Sequence, residues 1–317
     1  MESYKLVKDT IQFRNLSKTP LFYLNRDKQR SDIIMVGYTV PCDFNPIRPT
    51  ISEWGYEWES LNSTMGQSHN RPIKEWSDLE TFVPPEPFSI GRFESAKHTI
   101  KEYKGKYLIG DLGITGFNHV TFLRGFENTL EDIYLDRENI ERLLDVVVDF
   151  ECEIIRQFAE CKVHGIAFGD DWGTQRSLMI SPVLWEEIFL PKYIKQFQLV
   201  HSLGMDVYFH SCGYVYDIIP QLIKAGVDIF NFNQPDLLNI DRLKDDFAGK
   251  VNFCCPIDHQ RLAINGTKSE IFNYAKKLKD KLGIIKGGFI GFIEYYPSLN
   301  MDEEHYKWIC EAFETLF

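Results

Sequence analysis

Short apolar runs alternate with amphipathic stretches from residue 106 to residue 317. The runs, such as YLIGDLGIT at 107–115 and VYF at 207–209, are rich in β-branched and aromatic residues and are typical of buried strands. The stretches between them, such as residues 137–162, repeat their apolar positions at helical spacing. About seven or eight such strand–helix units predict a parallel sheet covered by helices.

This alternation predicts an α/β fold of the (β/α)8 TIM barrel type, with residues 1–317 in a single domain. A doubly wound open sheet is the alternative, but no strand is followed by the GxGxxG turn that binds a dinucleotide. Residues 106–317 are predicted to form the regular units. Residues 1–105 are predicted to form an irregular, aromatic-rich N-terminal extension, with a first strand at 32–40.

Residues 41–105 are interpreted as a lid or binding loop, because long irregular loops in compact domains are usually functional. The segment carries Trp54, Trp58, Met65 and Trp76. We expect its aromatic side chains to contact a substrate. The alternative is that they close one end of the barrel as part of the core.

Polar residues follow nearly every predicted strand. Because barrel enzymes keep their active site at the carboxyl ends of the strands, these residues predict a polar pocket there. For any single one of them, a capping or solvated role is the alternative. The set comprises Asp111; Asp170, Asp171 and Trp172, with Arg176 close behind; His210 and Cys212; Asn231 and Asn233; Cys254, Cys255, Asp258 and His259; and Glu294, Tyr295 and Tyr296.

His210 and Cys212 end the strand predicted within residues 205–213, MDVYFHSCG. Residues two apart in a strand share a face, so the imidazole and the thiol are expected on the same side. This pair of ligands suits a borderline-soft metal ion, and zinc is the first candidate. The alternative is a buried histidine bonded to a carbonyl next to a structural cysteine.

A zinc site needs at least a third protein ligand. Glu294, at the end of the last strand, is preferred, because histidine, cysteine and carboxylate together leave a fourth position open, as catalytic zinc requires. Cys255, with His259 four residues later, is the competitor. Cys255 also has the alternative of small hydrophobic packing, which is common for a free cysteine.

Composition narrows the range of functions. A formal net charge of −11 argues against nucleic-acid and anionic-membrane binding, and no run approaches the length of a membrane span. The charged start, MESYKLVKDTIQF, lacks the apolar stretch of a signal peptide, and an odd number of cysteines, seven, indicates reduced thiols. We therefore expect a cytoplasmic protein, for which a homodimer is compatible with the sequence.

Several stretches resemble the uroporphyrinogen decarboxylase superfamily, over most of the chain. They are EWGYEW…TMGQ…PIKEWSDLETFVPPEP, GDDWGTQRSLMISPVLWEEIFLPKY, HSCGYVYDIIPQLIKAGVDIFNFNQPD, CCPIDHQRL and GGFIGFIEYYPSLN. The chain is most similar to the branch of zinc- and corrinoid-dependent methyltransferases, whose HxC motif matches His210 and Cys212. The arginine-rich RQAGRY-type motif of the decarboxylases, which grips substrate carboxylates, has no counterpart here.

The resemblance implies a zinc-dependent methyltransferase that moves a methyl group from a small methoxylated or methylated substrate to a corrinoid (cobalamin) on a partner protein. The thiol methyltransferases of this branch carry a third zinc ligand, a cysteine, where aligning the following helix places Glu294. A carboxylate leaves the metal more Lewis acidic, which suits an O-demethylase. Asp170 or Asp171 would orient the substrate or manage its proton, with Glu294 as a catalytic ligand.

Further substrate contacts are expected around the pocket, from Trp54, Trp58, Trp172, Arg176, Asn233, Asp258 and Tyr295. The alternatives are a methylcobamide:thiol methyltransferase and a uroporphyrinogen decarboxylase-like decarboxylase. The decarboxylase would need an arginine cluster, for which Arg176 and Arg14 are the candidates. The non-enzymatic alternative is a corrinoid- or tetrapyrrole-binding barrel.

Overall fold

The computed structural model describes residues 2–15, 18–60, 66–283 and 286–316, so Met65 of the predicted lid lies outside the described residues. The strands are β1 (Leu21–Tyr23), β2 (Ile33–Gly37), β3 (Glu57–Glu59), β4 (Gln67–His69), β5 (Tyr107–Ile114), β6 (Gly165–Gly169), β7 (Asp206–His210), β8 (Ile229–Asn231), β9 (Asn252–Cys255) and β10 (Phe289–Ile293). The helices are α1 (Ser3–Ile11), α2 (Glu94–Glu102), α3 (Gly116–Arg124), α4 (Phe126–Leu135), α5 (Arg137–Glu160), α6 (Pro182–Ile188), α7 (Leu190–Ser202), α8 (Ile219–Ala225), α9 (Ile240–Phe247), α10 (Leu262–Asn265), α11 (Lys268–Leu282) and α12 (Glu303–Leu316).

Eight of these strands form a nearly closed barrel. Its order is β1-β10-β9-β8-β7-β6-β5-β2, and the neighbouring strands pair in parallel. At the junction of β1 and β2, the Asp32 N–H donates to the Leu21 carbonyl at 2.8 Å. The predicted (β/α)8 barrel is therefore confirmed.

Strand alternation divides the core into two layers. Inward-facing residues, including Ile109, Tyr208 and Phe292, fill the barrel together with Val7 and Ile11 of α1. Outward-facing residues of the same strands pack against the surrounding helices. The barrel interior is thus a packed core, and a cavity opens above it where the strands end.

The N-terminal segment is more regular than its composition suggests. The strand predicted at 32–40 is β2, but β1 lies before it and was not predicted, because three residues are too few for a periodic pattern. Residues 1–105 thus supply two barrel strands, and β3 and β4 form a separate antiparallel ribbon. No helix in the described residues is both long and apolar enough to cross a membrane.

Candidate metal site at the carboxyl ends of the strands

His210 is the last residue of β7, and Asn231 at the end of β8 fixes its imidazole. The Asn231 Nδ2 donates to the Cys254 carbonyl at 2.7 Å, so the Asn231 Oδ1 must face the other way. That oxygen lies 2.6 Å from His210 Nδ1. Since Oδ1 can only accept, the proton of the neutral imidazole is on Nδ1, and Nε2 keeps a free lone pair.

The free Nε2 faces a thiol and a carboxylate. Cys212 Sγ lies 3.4 Å from it and Asp171 Oδ1 3.5 Å from it, and all three ligand atoms lie within 4.8 Å of one another. Zinc bonds of about 2.0 Å to nitrogen and about 2.3 Å to sulfur, at a tetrahedral angle, place those atoms about 3.5 Å apart. The donor set and its spacing therefore fit zinc.

Backbone contacts between two loops hold this arrangement. The Cys212 N–H donates to Asp171 Oδ1 at 2.7 Å, and the Gly173 N–H donates to the Cys212 carbonyl at 3.1 Å. Gly213 has a φ of +78°, and a Cβ there would collide with the backbone of Gly173. The loops after β6 and β7 are therefore in direct contact, which fixes Asp171 relative to Cys212.

A cavity of about 410 Å³ opens beside His210, above the barrel core. Asp111 and Glu294 contribute carboxylates to its wall, and no lysine or arginine belongs to the wall among the described residues. Burial raises the pKa of Glu294 to about 7, and no side-chain hydrogen bond to it is found in the described part of the chain. Asn233 also lines the cavity, with its Oδ1 buried and unpartnered. A cation would relieve the cost of burying these oxygens.

Two aromatic rings complete the surroundings of His210. Tyr296 lines the cavity, and its ring centre lies 5.5 Å from that of the buried His259. Burial lowers the pKa of His259 to about 4, with His210 as the smaller cause, so its imidazole is neutral near pH 7. Burial also raises the pKa of Tyr296 to about 12, followed by the charge of Glu294. Both rings therefore add uncharged polar groups to the site.

Asp170, unlike Asp171, is fully buried, and its side chain bonds to the start of α3. Its carboxylate accepts from the N–H groups of Phe117 at 3.0 Å and Asn118 at 2.9 Å, and from the Tyr193 hydroxyl at 2.5 Å. Burial raises the pKa of Asp170 to about 7, against the lowering effect of these bonds. The side chain thus satisfies two N–H groups of a helix N-terminus.

Glu151 of α5 completes the same helix start. Its Oε1 accepts from the Gly116 N–H at 3.0 Å, and Gln196 Nε2 donates to its Oε2 at 2.6 Å. Burial raises the pKa of Glu151 to about 8. α3 in turn supplies Asn118, whose Oδ1 accepts from the Asp171 N–H. Two buried acids therefore support the helix that orients Asp171.

Comparison with known proteins identifies the family. The family described as Uroporphyrinogen decarboxylase (URO-D) matches residues 60–312, which is most of the chain. The chain belongs to the uroporphyrinogen decarboxylase family. The family resemblance predicted from the sequence is thereby confirmed, although no curated protein sequence matches the chain.

Solved structures with the same fold include a methyltransferase from Methanosarcina mazei. It is 12% identical, covers 99% of each chain and superposes with a TM-score of 0.74, which supports the fold. A D-psicose 3-epimerase with D-fructose (10% identical, 90% of this chain and 89% of that chain, TM-score 0.46) and a chitinase from Chromobacterium violaceum (10% identical, 93% and 99%, TM-score 0.45) are more distant.

Within this member of the uroporphyrinogen decarboxylase family, several predicted site residues lie together. His210, Asn233 and Glu294 line the cavity, with Asp171 and Cys212 next to His210. Asp171 was expected to act on the substrate, and its carboxylate also lies within 4.8 Å of the His210 and Cys212 atoms, as one of three groups that could hold a metal. The third ligand stays a prediction, because Glu294 lines the cavity but is not part of the three-atom cluster.

Two predicted site residues lie in the hydrophobic core and not in the cavity wall. Cys255 belongs to the core between barrel and helices, whereas its neighbour Cys254 points into the barrel, which argues against Cys255 as a ligand. Trp172 is fully buried, stacks on Phe117 at 4.3 Å and donates to Tyr193. Its burial argues against the predicted substrate contact and assigns it to the core.

Three further predicted substrate contacts lie outside the cavity wall. Tyr295 packs against the Arg26 guanidinium at 4.8 Å instead. Asp258 is buried and accepts from the N–H of Gln260 at 3.1 Å, as in a turn. Arg176 is exposed in the loop after β6. These placements do not support the three assignments.

Trp54 and Trp58 do line a cavity, but a separate one, described below. The residues not assigned to the site from sequence are Asn231, His259 and Tyr296, although all three had been noted at strand ends. For Tyr296 a signal existed, because it lies two residues after Glu294 and shares its face, whereas Tyr295 lies on the opposite face.

Proposed function

We propose that this protein is a zinc-dependent methyltransferase that takes a methyl group from a small methoxylated or methylated substrate and passes it to a corrinoid on a partner protein. One observation carries the proposal. An imidazole Nε2 with a preset lone pair lies 3.4 Å from a cysteine sulfur, beside a cavity of about 410 Å³ at the carboxyl ends of the barrel strands.

Charge distinguishes this proposal from decarboxylation of a polycarboxylate. The described wall of the cavity holds Asp111 and Glu294 but no lysine or arginine, so it would repel a substrate with several carboxylates. The resemblance to the zinc- and corrinoid-dependent branch agrees with this argument. So does the structural neighbour from Methanosarcina mazei, which is a methyltransferase.

The chain's own residues would divide the work as follows. His210 Nε2 and Cys212 Sγ would hold zinc, and Asn231 would keep the imidazole in the required tautomer. Bound zinc would act as a Lewis acid that polarises the leaving atom of the methyl donor. Burial, followed by the Asp171 charge, raises the pKa of the Cys212 thiol, which therefore carries its proton before metal binds. Zinc would displace this proton, because the thiolate is the form that binds metal.

Glu294 is proposed as the third ligand and Asp171 as the alternative. Asp171 Oδ1 already accepts from the Cys212 N–H, and this bond fixes the loop. Glu294 has no such partner in the described residues, and its raised pKa shows an uncompensated carboxylate. Asp171 would then orient the substrate or manage its proton, while Asp170 is occupied by the start of α3.

Metal content tests the ligand set. Zinc is measured by elemental analysis, after zinc is offered under reducing conditions, in the wild type and in Cys212→Ala, Glu294→Gln and Asp171→Asn. We expect about one zinc per chain, lost in Cys212→Ala and Glu294→Gln and retained in Asp171→Asn and in the control Cys161→Ala. Loss in Asp171→Asn but not in Glu294→Gln would reassign the third ligand, and no metal in the wild type would refute the proposal.

Methyl transfer tests the activity. The zinc-loaded protein is incubated with Co(I) cobalamin and a panel of methoxylated and methylated small molecules, and formation of methylcobalamin is followed by absorbance. We expect a signal that requires Cys212. Transfer only from methylcobalamin to a thiol would favour the thiol methyltransferase, and zinc binding without any transfer would favour the non-enzymatic binding barrel.

A further inference from the structure

A second cavity, of about 360 Å³, lies next to the candidate metal site and has aromatic walls. Trp54, Tyr56 and Trp58 line it, at every second position of the segment that leads through β3. Tyr56 and Trp58, two apart where the chain enters β3, share a face, and Trp54 joins them from the turn that precedes the strand, where Gly55 has a φ of +88°. Ile114, at the end of β5, lines both this cavity and the one beside His210.

The opposite wall comes from α3. His119 and Phe122, three residues apart on one helix face, line the cavity. The Phe122 ring meets Trp58 edge-to-face at 5.2 Å and Tyr56 at 5.5 Å between ring centres. The cavity is therefore lined by α3 and by the segment that leads through β3.

The described wall carries no unbalanced charge. Glu53 is bound by the fully buried Arg92 through two hydrogen bonds, of 2.9 and 2.7 Å. Burial lowers the pKa of His119 to about 4, so its imidazole is neutral near pH 7. A ligand of this cavity therefore meets no net charge, and a charged one would lose its hydration without compensation.

Two residues in this wall, Ser52 and His119, each carry a buried polar atom, Ser52 Oγ and His119 Nε2, without a hydrogen bond to any described residue. His119 is 8% exposed, and its Nε2 is buried without a hydrogen bond to any described residue. The ring packs edge-to-face against Trp54 at 4.4 Å, which holds it in place. A neutral imidazole nitrogen either donates or accepts, and a hydroxyl group serves both cases.

We propose that this cavity is a binding site for an uncharged aromatic ring that bears a hydroxyl group, as in a phenol. The aromatic walls fit the ring through edge and face contacts, and His119 Nε2 provides the hydrogen bond for the hydroxyl. A volume of about 360 Å³ suits a small ligand. The proposal goes beyond the proposed methyl transfer, because binding of the ring requires neither metal nor cobalamin.

Calorimetric titration with phenol tests the site, with toluene as the probe that lacks the hydroxyl. We expect one phenol per chain and roughly 3- to 10-fold weaker binding of toluene, the size of one net hydrogen bond. Benzoate and phenyltrimethylammonium test for charge. The proposal would be overturned if either charged probe bound more tightly than phenol, or if phenol did not bind at millimolar concentration. Phenyltrimethylammonium is included because aromatic walls also suit quaternary ammonium groups.

Two variants locate the binding. Trp58→Ala, at a half-buried position, is expected to weaken phenol and toluene by about tenfold, whereas Trp308→Ala in α12 changes neither. His119→Phe is expected to reduce phenol to the affinity of toluene while toluene is unaffected. Equal phenol affinity in the wild type and both cavity variants would refute the site. His210→Ala is expected to lose zinc and keep phenol binding, so failure of the metal proposal is distinguishable from failure of this one.

Discussion

Replacing Asn231 by leucine tests the argument that this amide selects the imidazole tautomer. The change keeps the size of the side chain but removes the 2.6 Å contact with His210 Nδ1 and the 2.7 Å bond to the Cys254 carbonyl. Without the acceptor, Nδ1 no longer has to carry the proton, and the imidazole is free to turn. Loss of such a supporting partner typically weakens metal binding by about 10- to 100-fold, or roughly 1.4–2.7 kcal/mol.

Stability falls as well, which makes a matched control necessary. Asn231 is 3% exposed, so leaving its partners unpaired is expected to lower the free energy of unfolding by about 1–3 kcal/mol. Asn252 is buried in the same way and bonds the carbonyls of Ile11 and Asp228, but it lies at the opposite end of β9 from the site. Asn252→Leu should therefore lose similar stability without loss of zinc affinity.

The assay is competition for zinc with a chromophoric chelator under reducing conditions, alongside denaturant unfolding of the same variants. Asn231→Asp provides a third case, since its carboxylate still accepts from Nδ1 and should hold zinc more tightly than the leucine variant. The reasoning would be refuted if Asn231→Leu bound zinc like the wild type, or if Asn252→Leu lost zinc equally. Either result would make Asn231 a structural residue only.

Two further predictions concern residues that support the site, and a third concerns the opposite end of the barrel. Burial favours the protonated form of Glu151 in the folded protein and raises its pKa to about 8. The free energy of unfolding should therefore fall as pH rises from about 4.5 to about 8, by at most roughly 1.4 kcal/mol per pH unit. Urea unfolding at several pH values should show a smaller slope in Glu151→Gln. Gly213→Ala should lower the unfolding free energy and the zinc content together, because its Cβ meets the Gly173 backbone at a φ of +78°. Lys8→Met removes the cationic partner of Asp206 at the other end of the barrel and leaves that carboxylate bonded to the Tyr107 hydroxyl. It should cost about 1–3 kcal/mol in urea unfolding and leave the zinc content unchanged, and a loss of zinc would contradict the separation of the two ends.

The barrel was predictable from sequence because parallel strands with both faces covered are apolar throughout and recur at a regular pitch. The same pattern locates the ends of the strands, and with them His210, Cys212, Asn233 and Glu294. β1 was not predictable in this way, since Leu21–Tyr23 is too short to show a period.

Side-chain direction beyond a strand end was less predictable. Asp170, Asp171 and Trp172 follow β6 in succession, yet one is bound by a helix start, one faces His210 and one is core. Nothing in their local pattern separates them, because the partner of Asp170 is the N-terminus of α3, more than fifty residues earlier in the chain. For Glu294 and Tyr296 the sequence did indicate side-chain direction, because these residues directly follow β10 and continue its alternation.

α3 connects the two cavities more closely than their shared Ile114. Its first N–H groups are held by the buried Asp170 and Glu151, its Asn118 accepts from the Asp171 N–H, and its His119 lines the aromatic cavity. Metal-site geometry and ring binding therefore depend on the same helix start. A change that loosens this start should weaken zinc and phenol binding together, whereas changes at Trp58 or His210 should separate them. That difference distinguishes residues that support both sites through α3 from residues that contact a ligand directly. Asp170 and Glu151 belong to the first kind, because they bond to the start of α3.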